Sequence, residues 1–188
     1  VNAYIFEEDH VDLDHTYIDG TKIEANANKY TWVWKKSCIK NRDKMFSKIT
    51  ELINSMNSEV LHLLGVKFET REEYAIEYLE TLLERYSDIV SLDISTFVNG
   101  RGHRKSLHQK QYEEMSDYIN RLKNYAKHIE ICGESRNSYS KTDHDATFMR
   151  IKTDYMGNDQ LLPAYNMQAA ICDEYIAVID AKPYASDM

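Results

Sequence analysis

The chain has 188 residues, of which 43% are hydrophobic and 29% are charged, and its formal net charge is −8 at pH 7. This length and composition are typical of a globular protein with a substantial core, and no stretch is apolar for long enough to span a bilayer, so we expect no membrane partner. The three cysteines are widely spaced and form no Cys-x-x-Cys motif. This pattern argues against a disulfide framework and a zinc site, and it favours a cytoplasmic protein.

The charges are distributed unevenly along the chain. Residues 22–48 contain eight Lys or Arg against two acids, and residues 101–152 contain eleven against seven. Basic stretches of this kind contact phosphates even on a protein that is acidic as a whole. The alternative, in which these side chains lie on solvated helix faces, stays open.

The chain opens with a segment, residues 2–14, that we expect to be amphipathic or partly helical. It carries Glu7, Glu8 and Asp9, whereas a signal peptide starts with basic residues. The first residue is Val1 rather than methionine, which indicates a piece of a longer protein.

Asp19 follows, inside an otherwise apolar run. Tyr17, Ile18 and Ile23 favour a strand. A carboxylate buried in a strand is costly unless it is paired, and a divalent metal ion is one such partner. The alternative is a turn, because Asp-Gly is a strong hairpin signal.

Residues 30–36 alternate aromatic or β-branched residues with polar ones. They predict a short strand or an exposed aromatic and basic patch that stacks on nucleic-acid bases. Packing of the tryptophans against a neighbouring helix is the favoured alternative.

The middle of the chain predicts helices. A first helix from about Arg42 ends at Gly65, a capping box at residues 70–73 starts a second, and a third over residues 105–132 ends at Gly133. Core packing is the favoured role of the three apolar stripes, with a dimerising coiled coil as the alternative for the third. The stripes are Met45, Ile49, Leu52, Met56, Val60, Leu63; Tyr74, Tyr78, Leu82, Tyr86, Ile89; and Met115, Tyr118, Leu122, Tyr125, Ile129, Cys132.

The last third predicts a polar, mostly irregular segment over residues 134–159 and then two strands, 164–173 and 175–181, joined tightly at Asp173. Asp173 has the character of a turn residue, and Asp180 ends the second strand without a following glycine. Neither is assigned as a metal ligand. Residues 143–145, Asp-His-Asp, are typical either of a turn capped by a carboxylate, which we favour, or of a metal site.

Three runs resemble segments of DDE-type transposases from bacterial insertion sequences. They are YIDGTKIEANANKYTWVWKKS at residues 17–37, NSYSKTDHDATFMR at 137–150 and PAYNMQAA at 163–170. The resemblance covers nearly the whole chain, although the helical middle is less specific.

The resemblance implies an α+β fold built on a partial RNase H-like sheet. Residues 1–41 would form the lead-in and first strand, residues 42–133 a large helical insertion between the first and second strands, and residues 134–188 a loop followed by the second and third strands of a truncated catalytic domain. It also implies that the strands of residues 164–181 pair with the strand that carries Asp19.

By the same resemblance, Asp19 is the first catalytic aspartate and a ligand for Mg²⁺ or Mn²⁺, in an enzyme that cuts and joins DNA transposon ends. The family's second aspartate and its glutamate find no match before Met188, so we expect the isolated chain to be inactive and to bind no metal tightly. The alternatives are a non-catalytic remnant or a helical interaction or DNA-binding module, and a phosphohydrolase that uses His144 and Asp145.

DNA and a second copy of the chain are the expected partners. The cations that we expect to contact DNA are Lys22, Lys29, Lys35, Lys36, Arg150 and Lys152.

Overall fold

The computed structural model describes residues 2–100, 102, 104–151, 157 and 160–185, with only the backbone described at residues 2 and 62–64. It shows a mixed α+β protein with antiparallel sheets. The elements in chain order are α1 Asn2–Glu8, β1 Tyr17–Glu24, β2 Trp32–Trp34, α2 Lys35–Leu64, α3 Ile76–Ile89, α4 Leu107–Cys132, β3 Ser138–Ser140, β4 Thr147–Arg150, β5 Leu161–Cys172 and β6 Tyr175–Lys182.

The chain divides into two compact units. The sheet unit comprises residues 1–35 and 131–188, and the helical unit comprises residues 36–130. The helical unit therefore begins six residues earlier and ends three residues earlier than the predicted insertion, which was 42–133. Among the described helices of both units, none is both apolar enough and long enough to cross a membrane.

The helical unit has its own hydrophobic core, built from the predicted stripes. The stripe of α2 is buried from Met45 to Val60, while Leu63 lies among the residues whose side chains are not described. The stripe of α3 contributes Tyr74, which precedes the helix, together with Leu82 and Tyr86, and α4 contributes Met115, Tyr118 and Leu122. Tyr78, Ile89 and Tyr125 pack at the margin of this core.

Two helix starts differ from the sequence prediction. The first long helix begins at Lys35 rather than near Arg42, because β2 leads directly into it and the Lys35 amide donates to the Asn137 carbonyl at 2.9 Å. The capping box at residues 70–73 does not start α3, which begins at Ile76 after Ala75. Residues 65–75 are instead fixed by the buried side chain of Asn57, which bonds both the amide and the carbonyl of Phe68, at 2.7 and 2.9 Å.

The sheet unit is organised around β5. Strand β1 pairs antiparallel with one edge of β5, from Tyr17 opposite Ile171 to Glu24 opposite Ala164. Strands β6 and β4 pair with its other edge, end to end, opposite residues 166–172 and 161–164. The tight connection at Asp173 is confirmed, since this residue has a φ of 51° between β5 and β6.

The segment over residues 134–159, which was predicted to be mostly irregular, has two short strands in its described part that the prediction missed. It contains β3, which pairs with β2, and β4, which pairs with β5. In chain order the helices therefore lie between β2 and β3, the strands of the two-stranded sheet, and between β1 and β4, the first two strands of the four-stranded sheet. Alternation of apolar and polar residues does not predict these short strands, because some of the residues that they bury are polar. Ser138, Ser140 and Thr147 are 0–5% exposed.

Candidate active site on the sheet

Asp19 lies in the first half of β1, where its backbone is opposite Ala169 of β5. The Asp-Gly pair is therefore part of a strand, and Gly20 continues the pairing opposite Gln168. The alternative prediction of a hairpin turn was wrong. Strand β1 lies at the edge of this sheet, because within the described residues it pairs only with β5.

The carboxylate of Asp19 is exposed. An exposed carboxylate keeps its hydration, so the burial argument for a metal partner does not apply here. Among the described residues, no group of three or more His, Cys, Asp or Glu side chains is arranged to hold a metal ion. Asp19 is thus one accessible carboxylate for a cation, and among the described residues it is not part of a group of three or more potential metal ligands.

The two carboxylates that follow in the sheet have other surroundings. Asp173 accepts a hydrogen bond from the Asp12 amide at 2.7 Å, which ties the end of the lead-in to the β5–β6 turn. Asp180 forms an ion pair with Lys182 and is opposite Gln168, so it projects from the face opposite to Asp19.

The Asp143-His144-Asp145 segment forms a turn. One oxygen of Asp143 accepts from the Asp145 amide at 3.1 Å, which is the capping role favoured above, and the other accepts from the Tyr165 hydroxyl. The His144 ring packs edge-on against the buried Tyr139 ring at 5.2 Å. These contacts hold the segment in place against Tyr165 and Tyr139.

The same segment is held from a second side by Arg136. Its guanidinium donates to the carbonyl of His144 at 2.6 Å and to the carbonyl of Ile131. The neighbouring Thr142 hydroxyl accepts from the Asn28 amide at 2.9 Å, so the second resembling run is bonded to the first. The bond between Asn28 and Thr142 was not predictable from the sequence, because these residues are 114 positions apart in the chain.

The predicted DNA-contacting cations do not form one patch. Lys22 is half-buried on the face opposite to Asp19, and Lys29 pairs with Glu24 at 2.8 Å. Lys35 donates to the Gly133 carbonyl at 2.5 Å, and Lys36 is exposed in the first turn of α2. Arg150 ends β4 on the face that carries Asp19, opposite Leu161, and Lys152 lies outside the described residues.

The tryptophans of β2 pack against rings rather than forming an open stacking platform. The Trp32 ring lies edge-on to Phe148 of β4 at 4.3 Å and to Trp34 at 5.8 Å. Val33 between them is buried. The favoured alternative of packing fits this arrangement, although the partner of Trp32 is a strand residue and not a helix.

A cavity of about 520 Å³ opens near the point where β6 ends. Tyr165 forms one wall, and its hydrogen bond to Asp143, with a smaller contribution from burial, raises the pKa of its hydroxyl to about 12. The hydroxyl therefore remains a donor at neutral pH. The sequence held no signal for this cavity, since its lining comes from four separate segments.

Comparisons of the chain with protein-family models, with curated proteins and with solved structures found no match.

Proposed function

We propose that this chain is the first part of the catalytic domain of a DDE-type DNA transposase, with Asp19 as one of its metal-binding carboxylates. The observation that carries the proposal is the setting of Asp19, which is exposed on a strand whose neighbours are β5 and then β6. This is the pairing that the resemblance implies for a partial RNase H-like sheet. The exposure of this carboxylate on the sheet supports the proposal, because an exposed carboxylate is accessible to a cation.

The proposed reaction is the attack of water or a 3′-hydroxyl on a phosphodiester. In such enzymes two Mg²⁺ or Mn²⁺ ions stabilise the entering and leaving oxygens, and hard cations take carboxylate ligands. The described residues do not supply such a ligand set, because Asp19 stands without two further acids. The proposal therefore requires carboxylates from outside these residues, and the isolated chain is expected to cleave no DNA.

The test compares two exposed strand carboxylates in the complete polypeptide that the gene encodes. Asp19→Asn removes one charge and little volume, and we expect it to lower strand cleavage about a thousandfold or more while DNA-end binding stays near the parent value. Asp180→Asn is the matched control, because it removes the same charge from the opposite face of the same sheet. Cleavage is measured on labelled transposon ends with Mg²⁺ or Mn²⁺.

Cleavage by Asp19→Asn at the parent rate would remove Asp19 from the site and the proposal with it. The reading frame after codon 188 gives a second test. A downstream strand with Asp-Gly-aromatic and a helical glutamate supports the enzyme, whereas a stop codon supports the alternative of a non-catalytic remnant or binding module.

A further inference from the structure

A row of lysines lies along the first half of α2, with one lysine at every fourth position. Its members are Lys36, Lys40, Lys44 and Lys48. Residues four apart lie on the same face of an α-helix, so the four side chains form one ridge, about 18 Å long. All four are exposed, whereas Met45 and Ile49 of the same helix are buried. We call this surface the lysine ridge.

The charge of the lysine ridge is not neutralised within the described part of the protein. No acid among the described residues forms an ion pair with any of its four amino groups. The one acid between residues 36 and 48 is Asp43, whose carboxylate already accepts two hydrogen bonds from the Arg42 guanidinium, at 2.9 and 3.0 Å. The segment therefore keeps a local excess of positive charge, although the whole chain has a net charge of −8.

The second half of the ridge borders a groove between α2 and α4. Helix α2 contributes Asn41, Lys44 and Lys48 to its lining, and α4 contributes Arg121 and Tyr125. None of the described residues that line this groove carries a carboxylate. The groove has a volume of about 210 Å³, which is below the roughly 300–1,000 Å³ of usual small-molecule sites. Its size and charge therefore fit a single phosphate group better than a whole metabolite.

Arg121 keeps donors for an anion in this groove. Its guanidinium contacts the Asp117 carboxylate at 3.5 Å and forms a hydrogen bond with the Tyr125 hydroxyl. Arg121 and Asp117 are both exposed, and an exposed ion pair at this distance is weak. Since a guanidinium has five N–H groups, further donors are available to a phosphate.

Acids limit the basic surface at one end. Glu51 and Glu114 line the next depression between the same two helices, and Lys48 lies at the border of both depressions. Neither of these acids forms an ion pair with Lys48 in the described structure. A polyanion would therefore be attracted from Lys48 toward Lys36 and repelled in the other direction.

The length and the composition of the ridge favour DNA over other anions. A free phosphate would use only the groove, whereas the ridge continues for about 18 Å, which corresponds to about five nucleotides of one DNA strand. A protein partner would need apolar contacts, which form the core of most protein interfaces. The other exposed residues of the segment are all polar, namely Ser37, Asn41, Asp43 and Ser47.

We propose that the lysine ridge and its groove bind the phosphate backbone of duplex DNA. One phosphate lies in the groove between Lys44 and Arg121, and the following phosphates of the same strand lie along the ridge toward Lys36. Binding is independent of sequence, because phosphate contacts position a duplex without reading its bases. The site belongs to the helical unit and requires neither Asp19 nor a metal ion, so it goes beyond the proposed function.

The test measures binding of the 188-residue chain to a fluorescent DNA duplex by anisotropy at increasing salt concentration. Each neutralised phosphate contributes about −0.9 to the slope of log affinity against log salt, so we expect about −4 for the parent. Changing both Lys44→Gln and Lys48→Gln should reduce the size of this slope by about two and weaken binding about tenfold or more at about 0.1 M salt. Glutamine has nearly the same helix propensity as lysine, so α2 should stay folded.

The matched control changes Lys123→Gln and Lys127→Gln. These exposed lysines are also four residues apart, lie on α4 of the same unit and change the net charge equally. Lys123 already pairs with Glu80 at 2.6 Å, and neither lysine lines the groove. We expect this variant to keep the slope of the parent. Changing Lys44→Arg and Lys48→Arg retains both charges and should also keep it.

A second ridge variant, with Lys36→Gln and Lys40→Gln, tests the half of the ridge that lies outside the groove. It should reduce the slope by a similar amount, and it replaces the first variant if circular dichroism shows that the first is unfolded. No binding by the parent, or equal slopes in the ridge and control variants, would overturn the inference. Competition by inorganic phosphate or a glutamate-rich peptide that equals competition by unlabelled duplex, at matched ionic strength, would overturn the assignment to DNA.

These outcomes are independent of those for Asp19. Cleavage that survives Asp19→Asn contradicts the proposed function, whatever the salt dependence of binding shows. Loss of cleavage in Asp19→Asn, together with equal slopes in the ridge and control variants, contradicts only the DNA site on α2.

Discussion

The helices of one unit and the strands β1 and β6 of the other differ in how far their apolar residues are buried. In the helical unit, Ile49, Ile53 and Val60 are fully buried among the side chains of the same unit. In the sheet unit, Ile18, Ile176, Val178 and Ile179 are between 54% and 73% exposed. The apolar stripes of the helices are thus largely buried within their own unit, whereas these four residues of β1 and β6 are not buried by the described part of the sheet unit.

Exposure on the sheet affects both faces. Ile18 and Val178 flank Ala170 on one face, while Ile179 flanks Ala169 on the face of Asp19. Apolar residues on both faces are typical of strands that are covered on both sides, and large exposed apolar patches mark interaction surfaces. The sheet is therefore the region where an apolar partner and chemistry are expected, and the core of the helical unit is the region where stability is expected.

The largest expected effect is a difference in the free energy of unfolding between alanine variants of two isoleucines. Ile49→Ala removes a fully buried side chain of α2, and we expect it to lower the free energy of unfolding by about 2–5 kcal/mol through lost burial and an unfilled cavity. Ile18→Ala removes a side chain that is 73% exposed in β1, and we expect less than about 1 kcal/mol. Urea unfolding monitored by circular dichroism gives both values.

An equal loss in the two variants would contradict the contrast between the units. It would show that Ile18 is buried in solution, for example by a second copy of the chain. Sedimentation of the parent protein at increasing concentration would then identify self-association, which is one of the expected partnerships.

The next largest effect is a difference in stability loss between alanine variants of two asparagines. Asn57→Ala leaves the amide and the carbonyl of the buried Phe68 without their bonds, and we expect a loss of about 2–4 kcal/mol. Asn28→Ala removes an exposed acceptor for the Tyr30 amide, where water replaces the bond, and should cost less than about 1 kcal/mol. The same unfolding experiment measures both, and similar losses would show that the 25–31 segment is as tightly packed as the helical core.

The helix ends and strands that could be predicted from the sequence are determined by neighbouring residues. The helices end at Gly65 and Gly133, which have φ of 65° and 60° and so adopt the left-handed conformation that glycine accepts readily. The strand that carries Asp19 and the β5–β6 connection follow from β-branched and aromatic runs bounded by a turn residue. In each case the residues that decide the structure are neighbours in the chain.

The features that could not be predicted from the sequence depend on pairing between residues that are distant in the chain. Strand β3 forms against β2, which precedes it by more than a hundred residues, and its serines gave no apolar alternation. The cavity depends on the same kind of information, because Tyr165, Asp143 and Arg136 meet only through the register of β5. The position of Asp19 on a strand was predictable, and the resemblance implied that this strand pairs with residues 164–171, whereas the exposure of Asp19 was not predictable.

The smallest expected effect distinguishes two tyrosines that have a raised pKa for different reasons. Burial is the main cause at Tyr86 of the helical unit, whose pKa is raised to about 12. The hydrogen bond to Asp143 is the main cause at Tyr165, whose pKa is also raised to about 12. Each group stays protonated in the folded protein while the unfolded chain ionises, so its contribution to stability is complete below pH 10 and is lost as the pH rises toward 12.

Asp143→Asn should therefore lower the pKa of Tyr165 toward its ordinary value and leave that of Tyr86 unchanged. The control is Asp145→Asn, two residues further along the chain. It should shift the pKa of Tyr165 less, because Asp145 acts on this hydroxyl only through its charge. The measurement is tyrosinate absorbance between pH 9 and 12.5, with Tyr165→Phe and Tyr86→Phe used to assign the two transitions. A shift at Tyr86 in the Asp143 variant would mean that the sheet turn and the helical core respond as one body, which would break the contrast between the two units.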